Sequence, residues 1–370
     1  MLKLKNCDLN EFARRISDKT IIAYGAGRIM RTACGILGDD FVRRIDCIID
    51  VKGGKNCFFE HGDVKIPIIK LDSLSSIDTD NTILLITPLA YYAIYENLDI
   101  CAALDGIDCY IYPIMRELAA PHGFPQVADG AQVKIPKKFH CIWFGRGEMS
   151  DLNKRCIESW QKFNPAYEIV MWNEDNYDLS RFPYAHDAYD AKRWALLVDF
   201  ARFDILYEYG GIYVDTDVEM IANWDFLLHN DFFGFIQNNW FGMGNGFGSV
   251  ARNPILTRLM TPFLQNDYTK IDVSKYSEKV IVDNHNLDKC KLHGIDVWRD
   301  GELINGGAKL FPQDMVILST RFSLKTQNTI GIHHYERTWS GELKSKEDKY
   351  TEFVNIHRRE LEMLCKTKNC

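Results

Sequence analysis

The sequence has no apolar run long enough to cross a bilayer, which takes about 20 consecutive apolar residues. The nearest candidate, residues 82–95, is shorter and contains Pro88. The opening segment, MLKLKNCDLNEFARRISDK, also lacks the apolar core of a secretory signal. We therefore expect a cytoplasmic protein.

Basic clusters and paired cysteines are missing as well. Lys and Arg number 44 against 51 Asp and Glu, giving a net charge of -7. A general nucleic-acid binder needs a basic surface to neutralise phosphates, so we expect no nucleic-acid partner.

The 11 cysteines are odd in number and none has CxxC spacing. Several, such as Cys47 and Cys141, lie in apolar runs where a free thiol behaves as a small hydrophobe, which favours a reducing compartment.

The length of 370 residues predicts two domains. In the first part, short apolar strands alternate with a helix, an alternation typical of a parallel βαβ sheet. The pattern breaks near Pro121 and Pro125. We predict a Rossmann-like α/β domain at 1–125, a second domain at 134–345 and a helical tail at 346–370.

A glycine turn in the first domain has two interpretations. Gly25 and Gly27 follow a predicted strand, and Asp50 lies where a ribose-binding acid of a dinucleotide site would fall. The third glycine of that fingerprint is replaced by Met30. The turn is either a tight strand-to-helix connection without a ligand, or part of a nucleotide site as in an NAD(P)-type enzyme.

The stretch WALLVDFARFDILYEY, residues 194–209, has apolar residues at helical spacing and contains neither Pro nor Gly. It predicts a helix that Gly210 and Gly211 end. Asp199 and Arg202 are three residues apart, so both project from one face of this helix. They either form a structural ion pair, or contact a sugar through Asp199 and a sugar or phosphate through Arg202.

Residues 212–217 predict a strand that carries Tyr213, Asp215 and Asp217 on one face. Two adjacent carboxylates near a buried strand repel each other unless a cation lies between them. Oxygen ligands favour Mg²⁺ or Mn²⁺ over Zn²⁺. The alternative is a pair of solvated acids in a turn.

These motifs resemble those of glycosyltransferase family 32, which includes capsular polysaccharide enzymes and initiating mannosyltransferases. The segment IPKKFHCIWFG at 135–145 resembles the strand that opens the family's catalytic domain, and HHYERTW at 333–339 resembles its closing motif HHFxGSW. The closing motif departs from the family, because Arg337 replaces glycine and Thr338 replaces serine. The residues that match the central motif are Asp199, Arg202, Gly210, Gly211, Tyr213, Asp215 and Asp217.

The resemblance implies an α/β, GT-A-type nucleotide-sugar transferase that retains anomeric configuration and acts in surface polysaccharide biosynthesis, such as capsule synthesis. It implies a UDP- or GDP-linked sugar donor, a glycan or lipid-linked glycan acceptor, and Mn²⁺ or Mg²⁺ as cofactor. Trp143 would stack on the nucleotide base, and His334, favoured over His333, would join the two acids at the metal. The remaining donor contacts implied are Tyr213, Asp215, Thr338 and Trp339.

Three further questions stay open in the sequence. Asn245, in the glycine-rich segment FGMGNGFGS, is either a sugar contact or part of a surface loop. The tail either packs on the protein or makes a peripheral contact with the inner face of a membrane. A non-catalytic nucleotide-sugar sensor is the alternative to an enzyme.

Overall fold

The computed structural model of the protein describes residues 1–5, 7–74, 77–88, 90–118, 127–237, 240–265, 276–277, 280, 302–304, 308–311, 316–318 and 329–336. The predicted donor contacts Thr338 and Trp339 and the tail at 346–370 lie outside these residues. The same is true of the predicted domain boundaries at 125 and 345, which therefore stay predictions.

Eight helices and eighteen strands are present in the described part of the chain. The helices are α1 Leu9–Arg15, α2 Arg28–Arg43, α3 Tyr91–Asp99, α4 Tyr112–Leu118, α5 Asp151–Phe163, α6 Pro183–Asp190, α7 Trp194–Tyr209 and α8 Pro254–Leu264. The strands of the first part are β1 Lys3–Leu4, β2 Thr20–Tyr24, β3 Ile45–Ile49, β4 Phe58–His61, β5 Val64–Ile69, β6 Thr82–Ile86 and β7 Asp108–Ile111. Those that follow are β8 Lys138–Ile142, β9 Glu168–Trp172, β10 Gly211–Tyr213, β11 Val218–Met220, β12 Phe232–Gln237, β13 Trp240–Phe241, β14 Phe247–Ser249, β15 Glu302–Ile304, β16 Ala308–Phe311, β17 Val316–Leu318 and β18 Gly331–His333.

The first seven strands form one sheet in the order β1-β7-β6-β2-β3-β5-β4. All pairs are parallel except β4 with β5. Apolar side chains fill both faces: Phe12 of α1 and Met30 of α2 pack on one, and Tyr95 of α3 packs on the other. The predicted parallel sheet of the first part is therefore present.

The second part contains a mixed sheet in the order β15-β16-β12-β14-β10-β8-β9, with β13 paired to β12. Strand β10 runs parallel to β8 and antiparallel to β14. A small sheet, β11-β18-β17, lies apart from it in the hydrogen-bond pattern. Helices α6, α7 and α8 contribute to one core of this part, and Trp160 of α5 contributes to the other. The predicted α/β class is confirmed, and the mixed sheet is consistent with a GT-A-type arrangement.

None of the described helices is both long and apolar enough to span a membrane. The eight cysteines among the described residues are free thiols. The cytoplasmic location and the peripheral membrane contact of the tail stay predictions.

Candidate active site

Helix α7 begins and ends at the residues that the sequence predicts. It spans Trp194–Tyr209, and Gly210 follows with a φ of 62° while Gly211 has a φ of 105°. These left-handed values favour glycine. A Cβ on Gly211 would lie 2.8 Å from Nε2 of His140, so the turn also needs glycine for space. The chain therefore reverses tightly from α7 into β10.

His140 of β8 supports this turn from within the sheet. Its Nδ1 accepts a hydrogen bond from Nε1 of Trp172 at 3.0 Å, and its Nε2 lies 2.9 Å from the carbonyl oxygen of Gly210. An indole N–H only donates, so the ring carries its proton on Nε2 and is neutral. Burial lowers the pKa of His140 to about 4. The ring is thus a structural support and not a ligand contact.

The strand predicted at 212–217 is shorter than expected. Strand β10 ends at Tyr213, and the N–H of Val218 closes a turn onto the carbonyl oxygen of Asp215 at 3.1 Å. The two acids thus lie in a turn between β10 and β11, not on one face of a continuous strand. The turn brings both carboxylates to the carboxyl end of β10.

Asp215 and Asp217 converge on His333 of β18. Nε2 of His333 lies 3.2 Å from Oδ1 of Asp217 and 4.0 Å from Oδ2 of Asp215. Each residue can offer one ligand atom within 4.8 Å of the others. The side chains of Asp215 and Asp217 keep 28% and 14% of their surface exposed, so a ligand can reach them from solvent. Two carboxylates suit Mg²⁺ or Mn²⁺, and the imidazole favours Mn²⁺ of the two.

The choice of His334 as the metal ligand is corrected by the structure. Nε2 of His334 lies 3.0 Å from Oε2 of Glu219, outside the cluster, while His333 faces the two acids. Strand β18 pairs with β11 so that His333 lies opposite Val218. The strand ends at His333, and the next residue, His334, donates its N–H to the carbonyl oxygen of Asp217 while its ring turns to Glu219.

The electrostatics of the two acids differ. Burial raises the pKa of Asp215 against the opposing charge of Arg202. Burial would also raise the pKa of Asp217, but the charge of His333 and its hydrogen bond outweigh this and lower it to about 2. A divalent ion near Asp215 would relieve the cost of its burial, and it would take over from His333 the neutralisation of both carboxylates. The cluster therefore fits a divalent ion.

Arg202 connects the cluster to α7. Its guanidinium donates to Oδ1 of Asp199 at 2.6 Å and lies over the ring of Tyr213, 4.9 Å from the centroid. The hydroxyl of Tyr213 donates to Oδ1 of Asp215 at 2.6 Å. The structural ion pair is thus present, and it also reaches the first acid of the motif. Tyr213 is only 2% exposed, so it orients Asp215 and is closed to direct contact with a donor.

A short segment after β18 holds Asp217 in place. The N–H of Glu336 donates to Oδ2 of Asp217 at 2.9 Å, and the N–H of His334 donates to its carbonyl oxygen at 2.9 Å. The Glu336 carboxylate accepts from the hydroxyl of Ser150, which caps α5. The beginning of the closing motif thus orients the second acid, a role that its resemblance to the family did not indicate.

The glycine-rich turn lies against the same cluster. A Cβ on Gly244 would lie 2.4 Å from Oδ2 of Asp215, so the turn approaches too closely for a side chain. Asn245 is fully buried, and its Oδ1 lies 2.8 Å from Nδ1 of His333. The sequence predicts either a sugar contact or a surface loop at Asn245. The geometry favours neither, because the side chain is buried and its oxygen faces His333.

Trp143 lies just beyond the carboxyl end of β8, at the same sheet edge as Asp215. It is half-buried, and its Nε1 donates to the carbonyl oxygen of Gly147 at 2.7 Å. Stacking on a nucleotide base stays a prediction for this residue.

In the first part, Asp50 turns towards the glycine turn. Its Oδ2 accepts from the N–H of Ala26 at 2.9 Å, and its Oδ1 accepts from the N–H of Lys52 at 3.0 Å. The carboxylate therefore occupies an N–H that a phosphate would use in a dinucleotide site. This geometry favours the tight turn without a ligand over the nucleotide site.

Comparison with known proteins places a family motif on this cluster. Residues 150–233 match the family described as glycosyltransferase sugar-binding region containing DXD motif. The matched residues contain α7, the glycine turn and both acids, but end before His333. They support the predicted glycosyltransferase domain.

Two curated relatives are an inositol phosphoceramide mannosyltransferase and a mannosyl phosphorylinositol ceramide synthase by name. Inositol phosphoceramide mannosyltransferase 3 of Schizosaccharomyces pombe is 30% identical over 112 residues, which are 28% of this chain and 30% of that protein. Mannosyl phosphorylinositol ceramide synthase CSH1 of Saccharomyces cerevisiae is 25% identical over 154 residues, 39% of this chain and 40% of that protein. The chain thus spans well under half of the length of either relative.

The solved structure of PaToxG Glycosyltransferase aligns with 46% of this chain, and the aligned part is 73% of that structure. The sequence identity is 16% and the TM-score is 0.34. Similarity at this level supports no conclusion about fold or function.

Proposed function

We propose that this chain is a metal-assisted, retaining glycosyltransferase that moves a hexose from a UDP- or GDP-linked donor to a hydroxyl group of a glycan or lipid-linked glycan. The observation that supports this proposal is the convergence of Asp215, Asp217 and His333 at the carboxyl end of β10. Both acids of this cluster belong to the region that matches the DXD family.

In this proposal the three residues hold Mn²⁺ or Mg²⁺, which neutralises the charge that the diphosphate gains when the sugar leaves. The protein keeps both carboxylates oriented in advance. Tyr213 holds Asp215 through its hydroxyl, and the N–H of Glu336 holds Asp217. Charged groups that are already oriented before the reaction need not reorganise as charge develops in the transition state. Such preorganised electrostatic stabilisation is usually the largest single contribution to the lowering of an enzyme's activation barrier.

Arg202 and Asp199 position the sugar in this mechanism. Oδ1 of Asp199 accepts from Arg202, and its second oxygen accepts from a sugar hydroxyl. The bond between the anomeric carbon and the phosphate oxygen breaks, and its electron pair stays on the diphosphate. The acceptor oxygen bonds to the same face of the sugar, and its proton passes to the departing phosphate oxygen.

The names of the relatives indicate which substrates to test first. One is named an inositol phosphoceramide mannosyltransferase and the other a mannosyl phosphorylinositol ceramide synthase, so we propose mannose as the first donor sugar to examine. We propose a growing surface polysaccharide, such as a capsule, as the acceptor, and an inositol-bearing lipid head group as the alternative acceptor.

Donor hydrolysis across a panel of UDP- and GDP-sugars, with and without Mn²⁺, tests the proposal. Asp217→Asn keeps the shape of the side chain but removes its charge, and it should abolish the metal-dependent turnover of the preferred donor. The matched control is Asp187→Asn on the exposed face of α6, which should turn over the donor normally. Metal-dependent donor binding without hydrolysis, and without transfer to either acceptor, would favour the sensor over the enzyme.

Nucleotide binding that is independent of metal, and is lost in Gly25→Val but not in Asp217→Asn, would instead point to the first domain. A Cβ at Gly25 would lie 2.5 Å from Cγ of Pro88, so this substitution distorts the glycine turn of the first part.

A further inference from the structure

We infer that Ser150 and Glu336 are positioning residues, whose hydrogen bond holds the turn at residues 334–336 so that Asp217 is oriented for metal binding. We call residues 334–336 the closing turn and the hydrogen bond the strap. The inference rests on the proposed function, because Asp217 belongs to the same metal cluster. Glu336 occupies the variable position x of the motif HHFxGSW, so the family resemblance assigns it no role.

The closing turn surrounds Asp217 with backbone donors. The N–H of His334 donates to the carbonyl oxygen of Asp217 and the N–H of Glu336 donates to its Oδ2, both at 2.9 Å. Tyr335, between these two donors, has a φ of 51°. A residue with a Cβ is disfavoured in this left-handed conformation. The turn therefore needs contacts outside itself to keep its shape.

The strap supplies such a contact from helix α5. Ser150 is the N-cap of α5, and its hydroxyl oxygen lies 2.9 Å from Oε2 of Glu336 and 3.1 Å from Oδ1 of Asn153. The single hydroxyl proton can serve one of these two acceptors. A carboxylate is the stronger acceptor and here also the closer one, so the hydroxyl donates to Glu336. The closing turn is thus fastened to the start of a 13-residue helix.

Helix α5 is a firm support for the strap. Cys156 and Trp160 of this helix are 1% and 0% exposed. The indole N–H of Trp160 donates to the carbonyl oxygen of Val218, the residue that follows Asp217, at 2.6 Å. The same helix therefore fixes the backbone beside Asp217 directly and the carboxylate of Asp217 through the strap.

A second contact of the closing turn is too exposed to replace the strap. Nε2 of His334 lies 3.0 Å from Oε2 of Glu219, whose side chain is 42% exposed. A surface pair of this kind contributes little, because water competes for the same groups. It also holds the turn before Tyr335, whereas the strap holds Glu336 itself. The strap therefore acts at the residue whose N–H reaches Oδ2 of Asp217.

Loss of the strap should weaken metal binding without removing any ligand. The N–H of Glu336 orients one carboxylate oxygen of Asp217 before an ion arrives. Groups that hydrogen-bond a metal ligand in this way commonly change metal affinity by about 10- to 100-fold when mutated. The strap acts one hydrogen bond further from the metal, so we expect an effect at the lower end, about 10-fold.

Reversing the polarity of the hydrogen bond tests the strap. Ser150→Asp keeps a preferred N-cap residue on α5 but places a carboxylate against that of Glu336, so it breaks the strap. Glu336→Gln keeps an oxygen that accepts from Ser150, so it retains the strap. With both substitutions, the amide at position 336 donates to the carboxylate at position 150, and the strap is restored. Glu158→Gln on the exposed face of α5 is the control.

Hydrogen–deuterium exchange of the closing turn in the full chain needs neither an ion nor a donor. The amides of His334 and Glu336 exchange when the turn opens. We expect exchange about 10-fold faster in Ser150→Asp, the effect of losing one hydrogen bond to a charged group. Glu336→Gln, the double variant and the control should exchange like the unchanged protein. Unaltered exchange in Ser150→Asp, or exchange in the double variant as fast as in Ser150→Asp, would overturn the strap.

Mn²⁺ affinity, followed by the electron paramagnetic resonance of the free ion, connects the strap to the metal. We expect affinity to fall by about 10-fold in Ser150→Asp and to recover in the double variant. An added carboxylate attracts a cation, so its charge alone would change the affinity in the opposite direction. Faster exchange with unaltered Mn²⁺ affinity would overturn the positioning role, because the strap would then be structural alone.

Absence of Mn²⁺ binding in the unchanged protein would overturn the metal-assisted function and the positioning role together. The exchange rates would still distinguish that result from a strap that does not form.

Discussion

Protonation of His140 should weaken the second part of the protein as the pH falls. Only 1% of this residue is exposed, and both ring nitrogens are engaged, one by Trp172 and the other by Gly210. A proton added at Nδ1 would point at the indole N–H, which is itself a donor. The folded protein therefore resists protonation of this ring, whereas the unfolded chain does not.

The magnitude follows from the two pKa values. Burial lowers the pKa from 6.5 to about 4 in the folded state. In the unfolded chain His140 binds a proton below pH 6.5, whereas in the folded protein it does so only below about pH 4. The contribution of neutral His140 to the free energy of unfolding is therefore complete above pH 6.5 and is lost as the pH falls from 6.5 to about 4. At 1.36 kcal/mol per pH unit, the whole window corresponds to about 3 kcal/mol. Roughly 2 kcal/mol of this should be lost between about pH 7.5 and about pH 5.

Tryptophan fluorescence during urea unfolding is a suitable assay, because all eight tryptophans lie at or beyond Trp143 and so report on the second part alone. His140→Gln cannot be charged, and every other titrating group is common to both proteins. The pH-dependent loss in the free energy of unfolding should therefore be about 2 kcal/mol smaller in His140→Gln. His186→Gln, on the exposed face of α6, is the control and should keep the loss of the unchanged protein.

Equal losses in the unchanged protein and in His140→Gln would refute this reasoning. That result would mean that the imidazole is already charged in the folded state, and that the hydrogen bond from Trp172 has been assigned to the wrong nitrogen.

Two further predictions concern the supports of the cluster. Gly244→Ala should displace Asp215 and reduce Mn²⁺-dependent donor hydrolysis by about 100-fold, the usual effect of a misplacement near 1 Å. The control Gly147→Ala adds a methyl group in open space and should leave the hydrolysis rate unchanged. Equal rates in the two variants would show that the turn at Gly244 adjusts without moving Asp215. Arg202→Met should leave the buried carboxylate of Asp199 without its cation and lower the free energy of unfolding in urea by about 3 kcal/mol. The control Arg146→Met removes an exposed ion pair with Asp175 and should leave the midpoint of urea unfolding unaltered. Similar midpoints in the two variants would contradict the burial of the Arg202–Asp199 pair.

Much of the local structure could be predicted because the signals are local. Helix α7 ends at the glycine pair because only glycine readily adopts the positive φ of that turn. The short apolar runs of the first part form β2, β3, β6 and β7, which pair in parallel as the alternation with a helix predicts. The acid pair of the DXD motif was likewise evident from residue type and spacing, and so were Asp199 and Arg202 on one helix face.

The identity of the third cluster residue could not be predicted in this way. His333 and His334 are neighbours with the same chemistry, and the face that each presents depends on the pairing of β18 with β11, more than 100 residues earlier. The same holds for Asn245, whose partner lies on another strand, and for His140, which supports the glycine turn from a neighbouring strand.

The sequence by itself determined the chemical groups of this protein, the class of its fold and the elements that carry those groups, because helix ends, strand runs and motif spacing depend on residues close together in the chain. The tertiary structure decided which histidine faces the two acids, where β10 ends, and that Gly244 lies too close to Asp215 to carry a side chain. Those outcomes depend on pairing between distant strands, where a shift of one residue moves each side chain to the opposite face.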